Sequence, residues 1–232
     1  MGNADINSRI ALNIHELETA IAEAAERVGR DAQTIRLVAV SKTVGDQHIQ
    51  AAIAAGQKEF GENRSKQFAE RQASFNDVAW HFIGRIQTNK IKDFVGTAAL
   101  VHSVASERVL RAIAKRAEQL GLIQSLLVEV NTAHEASKDG VSPQDLPSLL
   151  EVAQNLPTVR VQGLMTIAPI ASEYEVQRCF ADLRELSEQM RQSFAGVTNL
   201  TLAELSMGMS DDFLLAIREG ATILRIGRSI WR

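Results

Sequence analysis

The chain is short of several things. Its 232 residues include one cysteine, Cys179, so no intramolecular disulfide can form and the usage fits a reducing compartment. Cys179 lies in the helical-looking run EVQRCFADLREL and reads as a small packed residue. No apolar run approaches the roughly 18 residues of a membrane span. The N-terminal MGNADINSRIALN has neither the apolar core of a signal peptide nor the Ser or Thr at position 6 of a myristoylation site. The formal net charge is −3 and no basic stripe appears, which argues against nucleic acid or an anionic membrane as partner. Trp80 and the scattered phenylalanines read as core, not as a base-stacking platform. The expectation is a cytoplasmic protein whose partner is a small molecule.

What is present is an ordinary globular composition, 45% apolar and 23% charged, in a chain long enough for a substantial core. Ile6, Ile10, Ile14, Leu17, Ile21 and Val28 recur near the 3.6 period and Gly29 follows, which predicts an N-terminal helix. Short β-branched runs then alternate with amphipathic segments. The predicted strands are 35–42, 58–63, 80–84, 100–104, 124–131, 159–167, 200–208 and 222–227. Helices are predicted near 46–55, 64–74, 88–95, 106–120, 143–155, 172–194 and 211–219. Asp46 and Ser142 stand as N-caps, with Pro143 first in its helix and Asp145 completing a box, and Gly56, Gly121 and Gly220 stand at helix ends.

Strands that alternate with helices require crossovers and therefore a parallel sheet. Eight strands close a barrel, so the expected fold is an α/β, (β/α)₈ TIM-type barrel; an open doubly wound sheet is the rival. Only RSIWR follows the eighth strand, so its outer helix is vestigial, and the helix of residues 1–30 is expected to cover that wall. No linker or low-complexity tract interrupts the chain, and residues 1–232 are read as one barrel domain.

In such a barrel chemistry gathers at the C-terminal ends of strands. Lys42 ends the first run, LVAVSKT (37–43). Glu62 and Asn63 end the second, Ser206, Gly208 and Ser210 the seventh, and Arg225, Gly227 and Arg228 the eighth. His81 lies within the third strand and His102 near the end of the fourth. A lysine partly desolvated by barrel walls has a lowered pKa and a nucleophilic amine; the plain alternative is a strand-end lysine reaching into solvent. LRIGRSI (224–230) offers free backbone N–H groups where barrels commonly hold phosphate, with Ser206 and Ser210 as hydroxyl donors nearby. Strands one and eight are neighbours in a closed barrel, so amine and phosphate seat lie side by side. An aldehyde carrying a phosphate fits such a pair, and pyridoxal 5′-phosphate is the candidate.

LVAVSKT, FGEN (60–63), WHFIGRIQTNK (80–90), VNTAHEASKDG (130–140), GLMTI (163–167) and LSMGMSDDF followed by LRIGRSI (205–230) resemble the pyridoxal-phosphate homeostasis protein family, over nearly the whole chain. The resemblance implies a barrel similar to the N-terminal domain of fold-type III alanine racemases and ornithine decarboxylases, with the cofactor held as a covalent imine on Lys42. It implies that Ser206, Gly227 and Arg228 hold the phosphate with Ser210 close by. Arg225 is implied at the pyridine nitrogen, which it would keep unprotonated, and Asn63, His81 and Met165 as pocket lining. Two departures stand out: the chain reads SIWR where the family ends in an aromatic–glycine pair, and Arg228 stands where a small residue or threonine is common.

The resembling racemases take a second acid–base group from a tyrosine of another, all-β domain. This chain has no room for that domain, and its sole tyrosine is Tyr174. The expected role is therefore a monomeric, non-catalytic or weakly active holder of the cofactor in vitamin B6 and amino- and keto-acid homeostasis, possible partners being apoenzymes that use it. A fold-type III enzyme such as a racemase, and a cofactor-sensing adaptor, are the alternatives. Lys90 and Lys138 follow strands and read as solvated turn residues, the alternative being that either faces the mouth and binds a second aldehyde or an anion. His102, His134 and Glu129 lack any metal-ligand spacing, and no metal is expected.

Overall fold

The computed structural model describes residues 3–133 and 139–232. Helix α1 (Asn3–Arg27) opens the chain and Gly29, at φ 69°, turns it back. There follow β1 (Arg36–Val40), α2 (Asp46–Ala54), β2 (Glu59–Glu62), α3 (Ser65–Ser74) and β3 (Ala79–Phe82). After a 3₁₀ segment, Thr88–Asp93, come β4 (Leu100–Val104), α4 (Glu107–Leu120), β5 (Gln124–Glu129) and α5 (Leu146–Gln154). The chain ends with β6 (Val159–Met165), α6 (Glu173–Ser193), β7 (Leu200–Ser206), α7 (Phe213–Arg218), β8 (Ile223–Ile226) and α8 (Arg228–Trp231). All eight strands are parallel and close a barrel in sequence order, β8 pairing with β1. The open sheet is thereby ruled out. Among the described residues no helix is long and apolar enough to cross a membrane.

Alternation along the strands divides the interior in two. Outward residues such as Ala39, Phe60, Trp80, Phe82 and Val101 pack under the helices in the large core. Trp80 belongs there, its ring 5.4 Å from Phe60 and edge-on to Phe68. The barrel's inside holds a much smaller apolar cluster of Val38, Leu100, Leu127, Met165 and Ile223. Several other inward positions are polar, among them Glu59, His81, His102, Ser206 and Arg225, which is unusual for a packed barrel centre and bears on the site.

Two local features shape the barrel. The β6–β7 register slips between Val161 and Gly163, where Leu202 takes φ 51°. A Cβ on Gly163 would stand 1.9 Å from the Glu204 carbonyl oxygen, so only glycine lets the two backbones approach there. At the other side, α8 is only one turn, and α1 covers the wall as expected, packing on α2, α7 and α8. Asn13 Nδ2 donates to the carbonyls of Ile230 and Arg232, each at 3.0 Å, and Arg30 donates to those of Ile217 and Ala221.

Several boundaries differ from expectation. The first strand stops at Val40, so Lys42 lies beyond it. Residues 88–93 form a 3₁₀ helix and not an α-helix. Ser142 and Asp145 do bond to one another, but they close a turn, and α5 starts only at Leu146 with Pro147 in its first turn, where a missing N–H costs nothing. Gly45, not Asp46, is the N-cap of α2.

Candidate functional site

The β1–β8 seam brings the expected amine and the expected anion seat together. Register pairs Ala39 with Ile226, which sets Val40 against Gly227. A Cβ at Gly227 would lie 3.3 Å from the Val40 carbonyl oxygen, and Trp231 Nε1 donates to that same oxygen at 2.7 Å. Just beyond, Val44 N–H donates to the Ser41 carbonyl at 3.0 Å, closing a turn with Lys42 at its second position. Lys42 is exposed there. The barrel walls therefore do not enclose the side chain as the strand-end reading required.

That turn is braced from below. Arg71, on α3, donates to the carbonyls of Ser41 at 2.8 Å and of Val44 in a still closer contact. It also pairs tightly with Glu62 Oε1 at the end of β2, and Ser41 Oγ donates to the same oxygen at 2.6 Å. The Glu62 side chain is wholly buried, and its Oε2 has no partner. A buried ion pair thus holds both flanks of Lys42.

Under the mouth Arg225 is buried at 5% exposure. Its Nη1 donates to Ser206 Oγ at 2.7 Å and its Nη2 to the Thr166 carbonyl at 2.8 Å. Burial lowers its pKa to about 10, against the opposing pull of Glu129 and Asp212, so it is charged at neutral pH. Ser206 is completely buried, and its Oγ also meets His102 Nδ1 at 2.9 Å. His102 Nε2 meets His81 Nδ1 at 2.9 Å, and His81 Nε2 faces Glu59 Oε2 at 3.1 Å. Burial, and then the nearby His81, Arg225 and Arg36, push the His102 imidazole well below its usual pKa, so the ring is neutral. Burial pushes the Glu59 carboxyl up, but the His81 contact and Arg36 outweigh it and hold it below the usual range.

The remaining expected residues take the following places. Asn63 follows β2 at the mouth with its Oδ1 buried and unpartnered. Met165 ends β6 beside Ser206, inside the barrel. His81 is 1% exposed and reaches the mouth only through His102 and Ser206. Ser210 Oγ accepts from Ser229 N–H at 3.4 Å and so ties the β7–α7 loop to α8. The Arg228 guanidinium pairs with Asp211 in solvent. Lys90 is exposed and lines a cleft of about 210 Å³ with Asn63, Arg64 and Arg85. Tyr174 is 71% exposed in the first turn of α6 and bonds to Arg178. His134 and Lys138 lie outside the described residues. Among the described residues no group of three or more His, Cys, Asp or Glu gathers to hold a metal.

Two residues escaped the sequence reading as parts of this site. Glu129 ends β5, 7% exposed, and burial with the neighbouring Asp139 raises its carboxyl to about 7, with Arg225 pulling the other way. Glu59 starts β2 at the far end of the barrel. Their inward parity was the available signal.

The chain matches the family model described as alanine racemase, N-terminal domain, over residues 13–231. It is 42% identical to the pyridoxal phosphate homeostasis protein of Aquifex aeolicus over 210 residues, 89% of this chain and 90% of that one. A solved structure of PipY from Synechococcus elongatus with PLP bound is similar at TM-score 0.82 and 33% identity, covering 96% of this chain and all of that one. Alanine racemase from Corynebacterium glutamicum, 15% identical with a TM-score of 0.70 over 96% of this chain and 60% of its own, shares the barrel. With a closed eight-stranded parallel barrel, a lysine turn on its first strand and likeness along nearly its full length, the chain belongs to the pyridoxal phosphate homeostasis protein family.

Proposed function

We propose that this protein binds pyridoxal 5′-phosphate at the barrel mouth, holds it covalently on Lys42, and serves vitamin B6 and amino- and keto-acid homeostasis in the cytoplasm as a monomeric holder, not as an efficient catalyst. The observation that carries the reading is the β1–β8 seam, which sets the braced Lys42 turn beside the Gly227 backbone, above a buried Arg225. The residues present fit the cofactor: the buried Asn63 Oδ1 lacks a partner at the mouth, and at Gly227 a Cβ would press on the Val40 carbonyl oxygen at 3.3 Å, so the backbone there is best left bare. When bound, the cofactor supplies an aldehyde and an electron-withdrawing ring.

Lys42 would supply the amine that tethers the cofactor through its aldehyde. The Gly227 and Arg228 backbone N–H groups, with Ser210 beside them, hold the phosphate. Arg225, charged at neutral pH, would donate to the ring nitrogen and keep it unprotonated. Ser206 and Thr166 back Arg225, and Met165 and Asn63 would line the pocket. An arginine at that nitrogen weakens the ring as an electron sink, and Tyr174 is turned to Arg178 and solvent, which supports holding over racemisation.

The test is the visible absorbance of the purified protein with pyridoxal phosphate, before and after borohydride, with peptide mapping. A yellow protein that bleaches and carries the reduced adduct on Lys42, and a colourless Lys42→Ala, are expected. A Lys42→Ala protein that still forms the adduct, or a wild type that takes up no cofactor, overturns the reading.

A further inference from the structure

The barrel's interior contains two histidines that the cofactor reading leaves unused. They lie in series between Arg225 and Glu59, and the bonds in that series fix where every proton must be. A guanidinium only donates, so Ser206 Oγ accepts from Arg225. The Ser206 hydroxyl is wholly buried, and among the described residues its own proton meets His102 Nδ1, at 2.9 Å, as acceptor. His102 then carries its proton on Nε2 and gives it to His81 Nδ1 at 2.9 Å. His81, accepting at Nδ1, has Nε2 facing Glu59 Oε2 at 3.1 Å, within ion-pair distance though Oε2 makes no hydrogen bond. The Arg225–Ser206, Ser206–His102 and His102–His81 bonds each hold one proton, and all three donors point the same way. The reverse order strands the Ser206 proton without an acceptor and places a charge on His81, and an unmet buried donor alone costs roughly 1–3 kcal/mol. Beyond Glu59 the series is anchored by Arg36, which lies 3.8 Å from Glu59 and 3.4 Å from Glu204.

We propose that Glu59, His81 and His102 are positioning residues: a proton-ordered series running through the barrel that fixes Ser206 as an acceptor and so holds Arg225 at the mouth. The consequence lies in Arg225's remaining donors. With Nη1 held by Ser206 and Nη2 by Thr166, the guanidinium cannot rotate, and its other N–H groups keep one direction toward a ligand acceptor. The low intrinsic basicity of the buried His102 suits this task, because a second cation beside Arg225 would push the guanidinium away. The inference rests on the reading that Arg225 meets the cofactor ring; the order of protons in the series does not.

Two measurements separate these. In ¹⁵N-labelled protein without cofactor, the ring nitrogens of the five histidines report tautomer and charge directly. His102, assigned by His102→Gln, is expected as a neutral Nε2–H ring from pH 6 to 8, and His81, assigned by His81→Gln, as a ring that accepts at Nδ1. An Nδ1–H ring at His102, or an imidazolium at His81, overturns the series whether or not the protein binds pyridoxal phosphate. In the second measurement, His102→Leu is titrated with pyridoxal phosphate and the pH dependence of the bound chromophore is recorded. Affinity is expected to fall tenfold or more and the chromophore's titration to shift, while His102→Gln, which keeps one acceptor and one donor, restores much of both. A His102→Leu protein with wild-type affinity and spectrum overturns the positioning role. Should His102→Leu fail to fold, Glu59→Leu against Glu59→Gln makes the same comparison from the other end, with the same two outcomes. A wild type that binds no cofactor sinks the reading of the mouth and leaves the tautomer test standing.

Discussion

Arg71→Met should be among the most damaging single changes in the chain, although Arg71 is never in the mouth. The side chain is 7% exposed and its partner Glu62 is 0% exposed. Methionine matches the stem of the side chain and removes all of its bonds, to Glu62 and to the carbonyls of Ser41 and Val44. The Glu62 carboxylate is left with one donor, Ser41 Oγ, and an Oε2 that already has none. Breaking a buried pair in this way costs about 3–5 kcal/mol, because the surviving charge is desolvated and uncompensated. Against a typical domain stability of about 5–15 kcal/mol that is a fifth or more of the total. Urea unfolding should show a lower midpoint with the slope unchanged. Adding Glu62→Gln removes the stranded charge, so the double variant should be less damaged than the sum of the singles by at least about 1 kcal/mol. The Val44 amide, which closes the Lys42 turn, should also exchange faster in Arg71→Met. A loss under about 1 kcal/mol, or two singles that simply add, would refute the claim that this pair braces the turn.

Two further outcomes follow from buried groups elsewhere. Glu129 has its carboxyl raised from 4.5 to about 7, so the folded protein keeps a proton there that the unfolded chain has released. Its stabilising contribution is whole below about 4.5, shrinks as pH rises, and is gone above about 7, an upper limit of about 3 kcal/mol. Glu129→Gln should flatten that slope in thermal midpoints measured between pH 4.5 and 8 and be the more stable protein at pH 8; parallel curves would count against the assignment. Gly163→Ala should lose at least the ~3 kcal/mol upper range of overpacking, since its Cβ meets the Glu204 backbone. Gly45→Ala, with open space around it, should lose no more than about 1 kcal/mol in the same calorimetric scan.

The barrel was readable because alternation of strand and crossover leaves few topologies, and eight units of it leave one that closes. The place of the Lys42 turn was not. LVAVSK looks like continuous strand, and what ends it at Val40 is Arg71, thirty residues on, drawing in the carbonyls of Ser41 and Val44. The α5 start misled for a related reason: the Ser142–Asp145 bonds were foreseen, but the same bonds serve a turn as well as a cap. His81 was read as pocket lining, and His102 was weighed only with His134 and Glu129 as a metal set. Their pairing exists only through barrel register, which lines His81 up with Leu100 and so brings the next inward residue of β4, His102, against it. Glu59 was invisible for the same reason, as a charge at a strand's beginning reads as solvated until the barrel folds around it.

The pairing of β1 with β8 also dictates when the mouth can exist. Lys42 and Gly227 come from opposite ends of the chain and meet only after every intervening βα unit has taken its place, so their contact is among the longest loops the molecule closes. A ribosome still holding β8 in its tunnel has made the lysine but not its seat. Assembly of the mouth is therefore a late event, coincident with closure of the cylinder, and a ligand bridging the two strands acts as a latch across the seam. During denaturation, bound chromophore should disappear together with the barrel's cooperative transition, and a ligand-loaded protein should unfold more slowly than one whose seam is left open.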